Sequence, residues 1–267
     1  DYYPIGRTGR GTGRKGHGSW DTYDAFMNAQ LAELVRDYGA EAIWLDGEWD
    51  QDENPGFDWR YDKMYANIHK INPACLIGNN HHSAPHQGED FQMFERDVPG
   101  ANTAGLSGQD ISKLPLETCQ TMNGMWGYKI IDQNYKSDTT LIRLLVQTAG
   151  RNANLLLNIG PEPSGALPAL ALDRLAKISS WMKVYGKTVK DGVREGLLPP
   201  LEWGVTTQRG KTLYLHILDW KSRMLSLPLT DRVQRVVSFD TQRPIPYTQT
   251  KAGLTLTFDK APYELNA

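Results

Sequence analysis

The chain has 267 residues, 40% hydrophobic and 22% charged, an ordinary globular composition for one large domain or a domain with a smaller companion. A formal net charge of −2 provides no field favouring nucleic acid or an anionic membrane. No run of about 18 apolar residues predicts a membrane-spanning helix, and two cysteines, Cys75 and Cys119, are too few for a disulfide framework.

The chain opens at Asp1-Tyr2-Tyr3-Pro4 without an initiator Met or a signal peptide, and reads as something cut from a longer protein. Residues 1–18 interleave six glycines with Arg7, Arg10, Arg14 and Lys15. An arm that tracks phosphates would need aromatic platforms between the basic groups, so a long surface loop is the better expectation. Ser19 then precedes a helical pattern over Tyr23 to Tyr38, with Phe26, Ala29, Leu31, Leu34 and Val35 on one side and Gly39 as the stop.

Ala42-Ile43-Trp44-Leu45 reads as a buried strand tipped by Asp46-Gly47. A second helix, Tyr61 to Ile71, leads to a second strand, Cys75 to Gly78, tipped by Asn79, Asn80, His81 and His82. Residues 83–123 are polar and punctuated by Gly and Pro, predicting a loop region with one short strand near Ala104-Gly105-Leu106. A helix follows over Thr139 to Thr148, capped by Ser137 or Asp138. Asn154 to Gly160 is the clearest strand, and Ala169 to Tyr185 a last long helix. From Gly196 the grammar changes to short strands, Leu201–Val205, Thr212–Leu218, Met224–Leu227, Val233–Val237 and Leu254–Phe258, as in an all-β sandwich. Each cysteine lies in an apolar-leaning segment and is expected to be a small buried hydrophobe.

Repeated strand–helix units with polar strand ends suit a (β/α) barrel, whose catalytic groups gather at the C-terminal rim. Only about four or five units can be counted against eight for closure, and an open doubly wound sheet is the alternative. No Gly-rich phosphate loop follows a strand, so a dinucleotide site is not indicated.

Glycoside hydrolysis needs two carboxyl groups flanking one anomeric carbon. Asp46 is the first candidate, fixed by the backbone at a strand end beside Gly47, although an Asp there also suits a helix N-cap. Glu48, Asp50, Asp52 and Glu53 compete from what reads as a solvated loop. Glu95 sits in a segment read as loop, where Phe91, Met93 and Phe94 could favour a protonated carboxyl and Arg96 opposes it. Glu89, Asp90 and Glu117 are alternatives. His81, His82 and His86 match no recognised zinc spacing, and hydrogen bonding to sugar hydroxyls is the preferred reading of the Asn/His cluster. No Gly-x-Ser-x-Gly elbow is present, so acyl chemistry is not indicated.

Several stretches taken together resemble glycoside hydrolase family 29, the α-L-fucosidases: Ala29 to Gly39 followed by Ile43-Trp44-Leu45-Asp46-Gly47; Asp90-Phe91-x-x-x-Glu95; Glu117-Thr118-Cys119 through Trp126-Gly127-Tyr128; and Asn152 to Pro161, similar to the family's "GNLLLNVGP". The terminal segment from Trp203-Gly204 through Tyr214-Leu215-His216 is similar too. The resemblance implies a retaining α-L-fucosidase with Asp46 as nucleophile and Glu95 as acid/base. It also implies Trp44, Asn80, His81, His82 and Trp126 at the sugar, a fucosylated oligosaccharide or glycoconjugate as substrate, and neither metal nor cofactor. The implied fold is a (β/α)8-like TIM barrel present only in its second half (residues 1–192), followed by a C-terminal all-β sandwich domain (193–267).

The chain departs from the family pattern in two places. The first three barrel strands, which carry His and Trp residues around fucose, lie upstream of Asp1. Asn79, Asn80, His81 and His82 stand where an Arg often contacts the sugar. A polypeptide of this span alone is therefore expected to be unstable and weakly active or inactive. A homo-oligomer or a chain supplying the missing barrel half would remove that objection, and a non-catalytic fucose- or glycan-binding remnant is the rival reading. Bacterial relatives are often exported, which by resemblance alone suggests a periplasmic or extracellular setting.

Overall fold

The computed structural model describes residues 20–47 and 58–262. The Gly/Arg-rich opening and the competing acids Glu48, Asp50, Asp52 and Glu53 lie outside the described residues. The chain divides into two compact units, residues 1–120 and 121–267.

In the first unit, α1 (Trp20–Arg36), β1 (Ala42–Asp46), α2 (Tyr61–Ile71), β2 (Leu76–Asn80), β3 (Gln92–Glu95) and β4 (Leu116–Thr121) follow one another. β1 and β2 run parallel with Trp44 opposite Gly78 and Asp46 opposite Asn80. A parallel bridge from Gly78 to Phe91 carries the pairing on to β3, which runs parallel to β4 with Met93 opposite Glu117 and Glu95 opposite Cys119.

Strand parity sorts the side chains of this sheet. Ile43 and Ile77 face a core formed with Leu31 and Val35 of α1, Met64, Tyr65 and Ile68 of α2, and Cys75. Burying each large apolar side chain there stabilises the unit by about 1.5–3 kcal/mol. The opposite face carries Trp44, Asp46, Asn80, Glu95 and Glu117, so helices cover one face and these polar groups gather on the other. Gly78 belongs to that second face, where a Cβ would collide with the Phe91 ring.

Trp44 on β1 donates from Nε1 to Glu117 Oε1 on β4 at 3.0 Å. On a flat sheet these strands would stand about 14 Å apart, with side chains roughly perpendicular to it. Their meeting requires the sheet to curl, with the polar face concave.

The expected loop over 83–123 is corrected. It contains β3 and β4, and no strand forms near Ala104-Gly105-Leu106. β3 is only four residues long, too short for periodicity to register. Asn79 and Asn80 likewise belong to β2 rather than to a polar tip, because parallel pairing with β1 extends through Asp46.

The second unit contains α3 (Asp138–Ala149), β5 (Ala153–Asn158) and α4 (Ala169–Tyr185). Ser137 caps α3 by accepting from the Thr140 N–H. Met122, Leu141 and Ala171 form a core there. Two three-stranded antiparallel sheets follow: β6 (Arg194–Glu195), β7 (Gly204–Arg209) and β8 (Thr212–Ile217) in one, with β11 (Gly253–Thr257) between β9 (Met224–Leu227) and β10 (Tyr247–Thr250) in the other. Trp203, Leu225, Leu227, Leu254 and Leu256 share their core. The predicted strand over Val233–Val237 reduces to one bridge, Val237 to Pro244. Proline cannot donate to a ladder, which halts the pairing. Arg143 of α3 donates to the Leu218 carbonyl at 2.7 Å, so the terminal strands are tied to the helical segment within this unit.

Both cysteines are free and buried, and burial raises the Cys119 thiol to about 12. No helix among the described residues is long and apolar enough to cross a membrane.

His216 on β8 makes unit 2 sensitive to acid. Thr207 Oγ1 donates to the Thr188 carbonyl at 2.6 Å, so it accepts from His216 Nε2 at 2.8 Å. Burial lowers its pKa to about 4 from the ordinary 6.5, partly offset by the Thr188 backbone. Protonation therefore favours the unfolded chain. His216 leaves stability intact above pH 6.5, erodes it as pH falls from there toward about 4, and adds no further loss below that. Urea unfolding at pH 7 and pH 4.5 is expected to differ by about 2 kcal/mol more in the parent than in His216→Gln. Equal pH slopes would contradict this assignment.

Candidate active site

Three strands of the first unit end in polar side chains: β1 in Asp46, β2 in Asn80 and β3 in Glu95. Parallel strands place like ends together, and the shared face turns these three side chains toward one another.

Asn80 is 3% exposed, and its amide nitrogen lies 3.1 Å from Asp46 Oδ1 and 2.9 Å from Glu95 Oε2. Both neighbours are carboxylate acceptors, so the NH2 group faces them and gives one hydrogen to each. The two N–H bonds of an amide diverge by about 120°, which sets the bonded oxygens about 5 Å apart. They can be no farther apart than the two bonds laid end to end, about 6 Å.

His82 Nε2 also reaches Glu95 Oε2, at 2.9 Å, from a backbone in the left-handed region (φ 61°). Such a conformation is uncommon outside Gly, although His adopts it more readily than most residues, and here it turns the imidazole back onto the strand end. Arg96 Nε stands 3.8 Å from Glu95 Oε1. Burial raises the Asp46 pKa most, and the Glu95 charge raises it further. The Asn80 hydrogen bond and the His82 charge oppose both.

The other predicted site residues separate into groups. Trp44 lies on the concave face, 39% exposed, with its indole N–H held by Glu117. His81 faces away from the carboxylate pair. Its Nε2 lies 2.9 Å from Glu89 Oε1, and the two side chains are 2% and 1% exposed. Tyr65 donates to the same oxygen at 3.1 Å and accepts from Asn79 at 3.0 Å. Trp126 belongs to the second unit, where its carbonyl accepts from Asn158. Of the rival acids, Asp90 accepts from the Ile77 N–H and from His69.

His81, His86 and Glu89 bring three ligand-capable atoms within 4.8 Å of one another, a spacing that suits a metal ion. Proton positions point elsewhere for His81. The Ser83 backbone N–H donates to His81 Nδ1 at 3.1 Å, so Nδ1 keeps its lone pair and Nε2 carries the hydrogen toward Glu89. Metal ligation through Nε2 would have to break that arrangement.

Sequence reasoning missed two links: the bridging role of Asn80, and Glu117 as the partner of Trp44. Parity offered a signal for the first, since Trp44, Asp46 and a strand-end Asn80 share a face only if β2 continues two residues beyond its apolar run. For Glu117 there was none, because β4 was not recognised.

The family model described as Alpha-L-fucosidase matches residues 6–187. Among curated proteins, an α-L-fucosidase of Branchiostoma floridae is 24% identical over 91% of this chain and 55% of its own length. One from Dictyostelium discoideum is 27% identical over 62% of this chain and 35% of its own length. Among solved structures, α-L-fucosidase isoenzyme 1 from Paenibacillus thiaminolyticus is 27% identical with a TM-score of 0.73, covering 93% of this chain and 61% of that one. A Bacteroides thetaiotaomicron α-L-fucosidase trapped as a covalent intermediate aligns with a TM-score of 0.72 at 19% identity, over 91% of this chain and 58% of that one. The chain thus spans about half the length of the curated relatives it matches.

Proposed function

We propose, for a chain that belongs to the α-L-fucosidase family of glycoside hydrolases, that it carries the catalytic pair of a retaining enzyme acting on terminal α-L-fucosyl groups of oligosaccharides or glycoconjugates. In this reading Asp46 attacks the anomeric carbon while Glu95 protonates the departing oxygen. Glu95 then acts as base on the water that releases L-fucose with retained configuration.

The observation that carries the proposal is the pair of bonds from one amide, Asn80, to both acids. Carboxyl groups whose bonded oxygens stand about 5 Å apart fit the spacing of a retaining pair, whereas inverting enzymes hold their acids about 6.5–9.5 Å apart to admit a water. The charge environment agrees. When Glu95 carries its proton, one cause that raises Asp46 disappears, and Asn80 and His82 remain to favour the ionised nucleophile.

The curled parallel sheet with catalytic groups at its strand ends supports assigning residues 1–192 to the second half of a (β/α) barrel and 193–267 to a β-sandwich domain. Trp44 and His82 are assigned to the sugar's surroundings, with Asn80 holding the acids. His81 acts indirectly, through Glu89. Trp126 keeps its assignment from the family resemblance. The reaction as written draws on no metal or cofactor.

A glycan-binding remnant without turnover is the second reading. It is favoured by the exposure of Trp44 at 39% and Leu76 at 51%, apolar groups on β1 and β2. A panel of 4-nitrophenyl glycosides offered to the full-length protein separates the two. Release from the α-L-fucoside alone is expected, whereas fucose binding without release would select the remnant.

A further inference from the structure

We infer that Asn80 and His82 are positioning residues that decide which oxygen of each acid reacts: Asp46 Oδ2 forms the bond to the sugar, and Glu95 Oε1 carries the transferred proton. This deepens the hydrolase reading and rests on it.

Glu95 Oε2 receives both the Asn80 amide and His82 Nε2, each at 2.9 Å. An oxygen with two donors on its lone pairs is a poor place for a proton. Oε1 accepts no hydrogen bond among the described residues, its nearest charged neighbour being Arg96 at 3.8 Å. Asp46 is divided in the same way. Oδ1 accepts from Asn80, and Oδ2 accepts none among the described residues.

Asn80 holds this arrangement at a cost. Its own carbonyl oxygen is buried without a partner among the described residues. A buried orphan acceptor is unfavourable. Stability alone would be better served by an apolar side chain, so the amide's place is explained by the two acids it spans. His82 shows the same economy, since it adopts a strained backbone in order to reach Oε2.

In the first half-reaction the Asp46 Oδ2 lone pair forms a C–O bond as the glycosidic C–O bond breaks. The Oε1 proton goes to the leaving oxygen, and Glu95 ends as carboxylate with its charge held by Asn80 and His82. In the second, Oε1 takes a proton from water as that water displaces Asp46.

Among the described residues, the titratable or charged groups beside this pair are His82 and Arg96, with Cys119 on β4, and Asn80 alone hydrogen-bonds to both acids.

The test uses Asn80→Ala and His82→Asn in the full-length protein. Asn suits the left-handed backbone at position 82 but is too short to reach Glu95, so folding is retained even if Asn80→Ala fails to fold. His82→Asn is expected to lower kcat on an alkyl α-L-fucoside about 100-fold, with KM little changed. On an aryl fucoside whose leaving group needs no proton, the loss should be smaller. His82→Gln, which restores a donor, should recover part of the activity. Asn80→Ala should slow both substrates by about 100-fold.

Crystal structures of parent and Asn80→Ala supply a readout independent of turnover. The Asp46–Glu95 oxygen separation is expected to change by about 1 Å or more when the amide is removed. If the parent hydrolyses fucosides but the variants match it, or if the separation is unchanged, the positioning claim is overturned. A parent that hydrolyses no fucoside overturns the hydrolase reading instead, and the crystallographic separation still decides whether Asn80 positions the acids.

Discussion

Asp46→Gly is expected to lower kcat for α-L-fucoside hydrolysis by about 10⁴-fold or more while the protein stays folded. Removing the nucleophile of a double displacement removes the bond-forming atom itself. Folding should tolerate the change, because burial and the charge of Glu95 both disfavour ionised Asp46. Deletion relieves that repulsion, against a glycine penalty of about 0.5–1 kcal/mol in a strand. Azide can enter the vacated space and attack the same carbon, so partial rescue with a fucosyl azide of inverted configuration is expected. Unchanged hydrolysis by Asp46→Gly would remove Asp46 from the mechanism.

Glu95→Gln has the second-largest expected effect, and its signature depends on the leaving group. Loss of a general acid costs about 10²–10⁴-fold where the departing oxygen must be protonated. With an acidic phenol as leaving group the first step survives, but the second still lacks its base. A burst of phenol followed by a slow steady state is therefore expected. Azide should accelerate that slow phase, giving a fucosyl azide of retained configuration. A uniform loss across leaving groups, without a burst, would assign Glu95 a structural part only.

Those two residues were reached from the sequence by different routes. Asp46 stood out because a short apolar run, Ile43-Trp44-Leu45, ends in a carboxylate; the run forms β1, although it was read as buried and Ile43 is its one buried residue. Glu95 was one of several candidate acids on its local residues, and the resemblance to the fucosidase motif singled it out. Its local grammar reads as loop, since β3 is four residues long and is held by pairing with β4, a non-local interaction that periodicity cannot register. Long helices such as α2 and α4 were legible to the residue, because apolar spacing and breakers both mark their ends. The terminal strands were legible as a class but not one by one. Val233–Val237 has the right residues and no continuous partner, while Tyr247–Thr250 pairs with β11 despite its polar pattern.

Nothing in the residue types announced that Asn80 would bond to both acids. That placement emerges from register. Asn80 stands opposite Asp46 across one strand, and the Gly78–Phe91 bridge brings β3 up on the other side. A side chain between two strand ends can touch both, and an amide has two hydrogens with which to do so.

The most direct measurement of the central claim is covalent trapping of the full-length protein with 2-fluoro-fucosyl fluoride, followed by peptide mapping. Fluoride departs without needing a proton, and the 2-fluoro group slows release of the ester. A single fucosyl label on the peptide bearing Asp46, lost in Asp46→Gly and retained in Glu95→Gln, is the predicted result. A label on a different acid, or turnover of fucosides with no trapped ester at all, would contradict it.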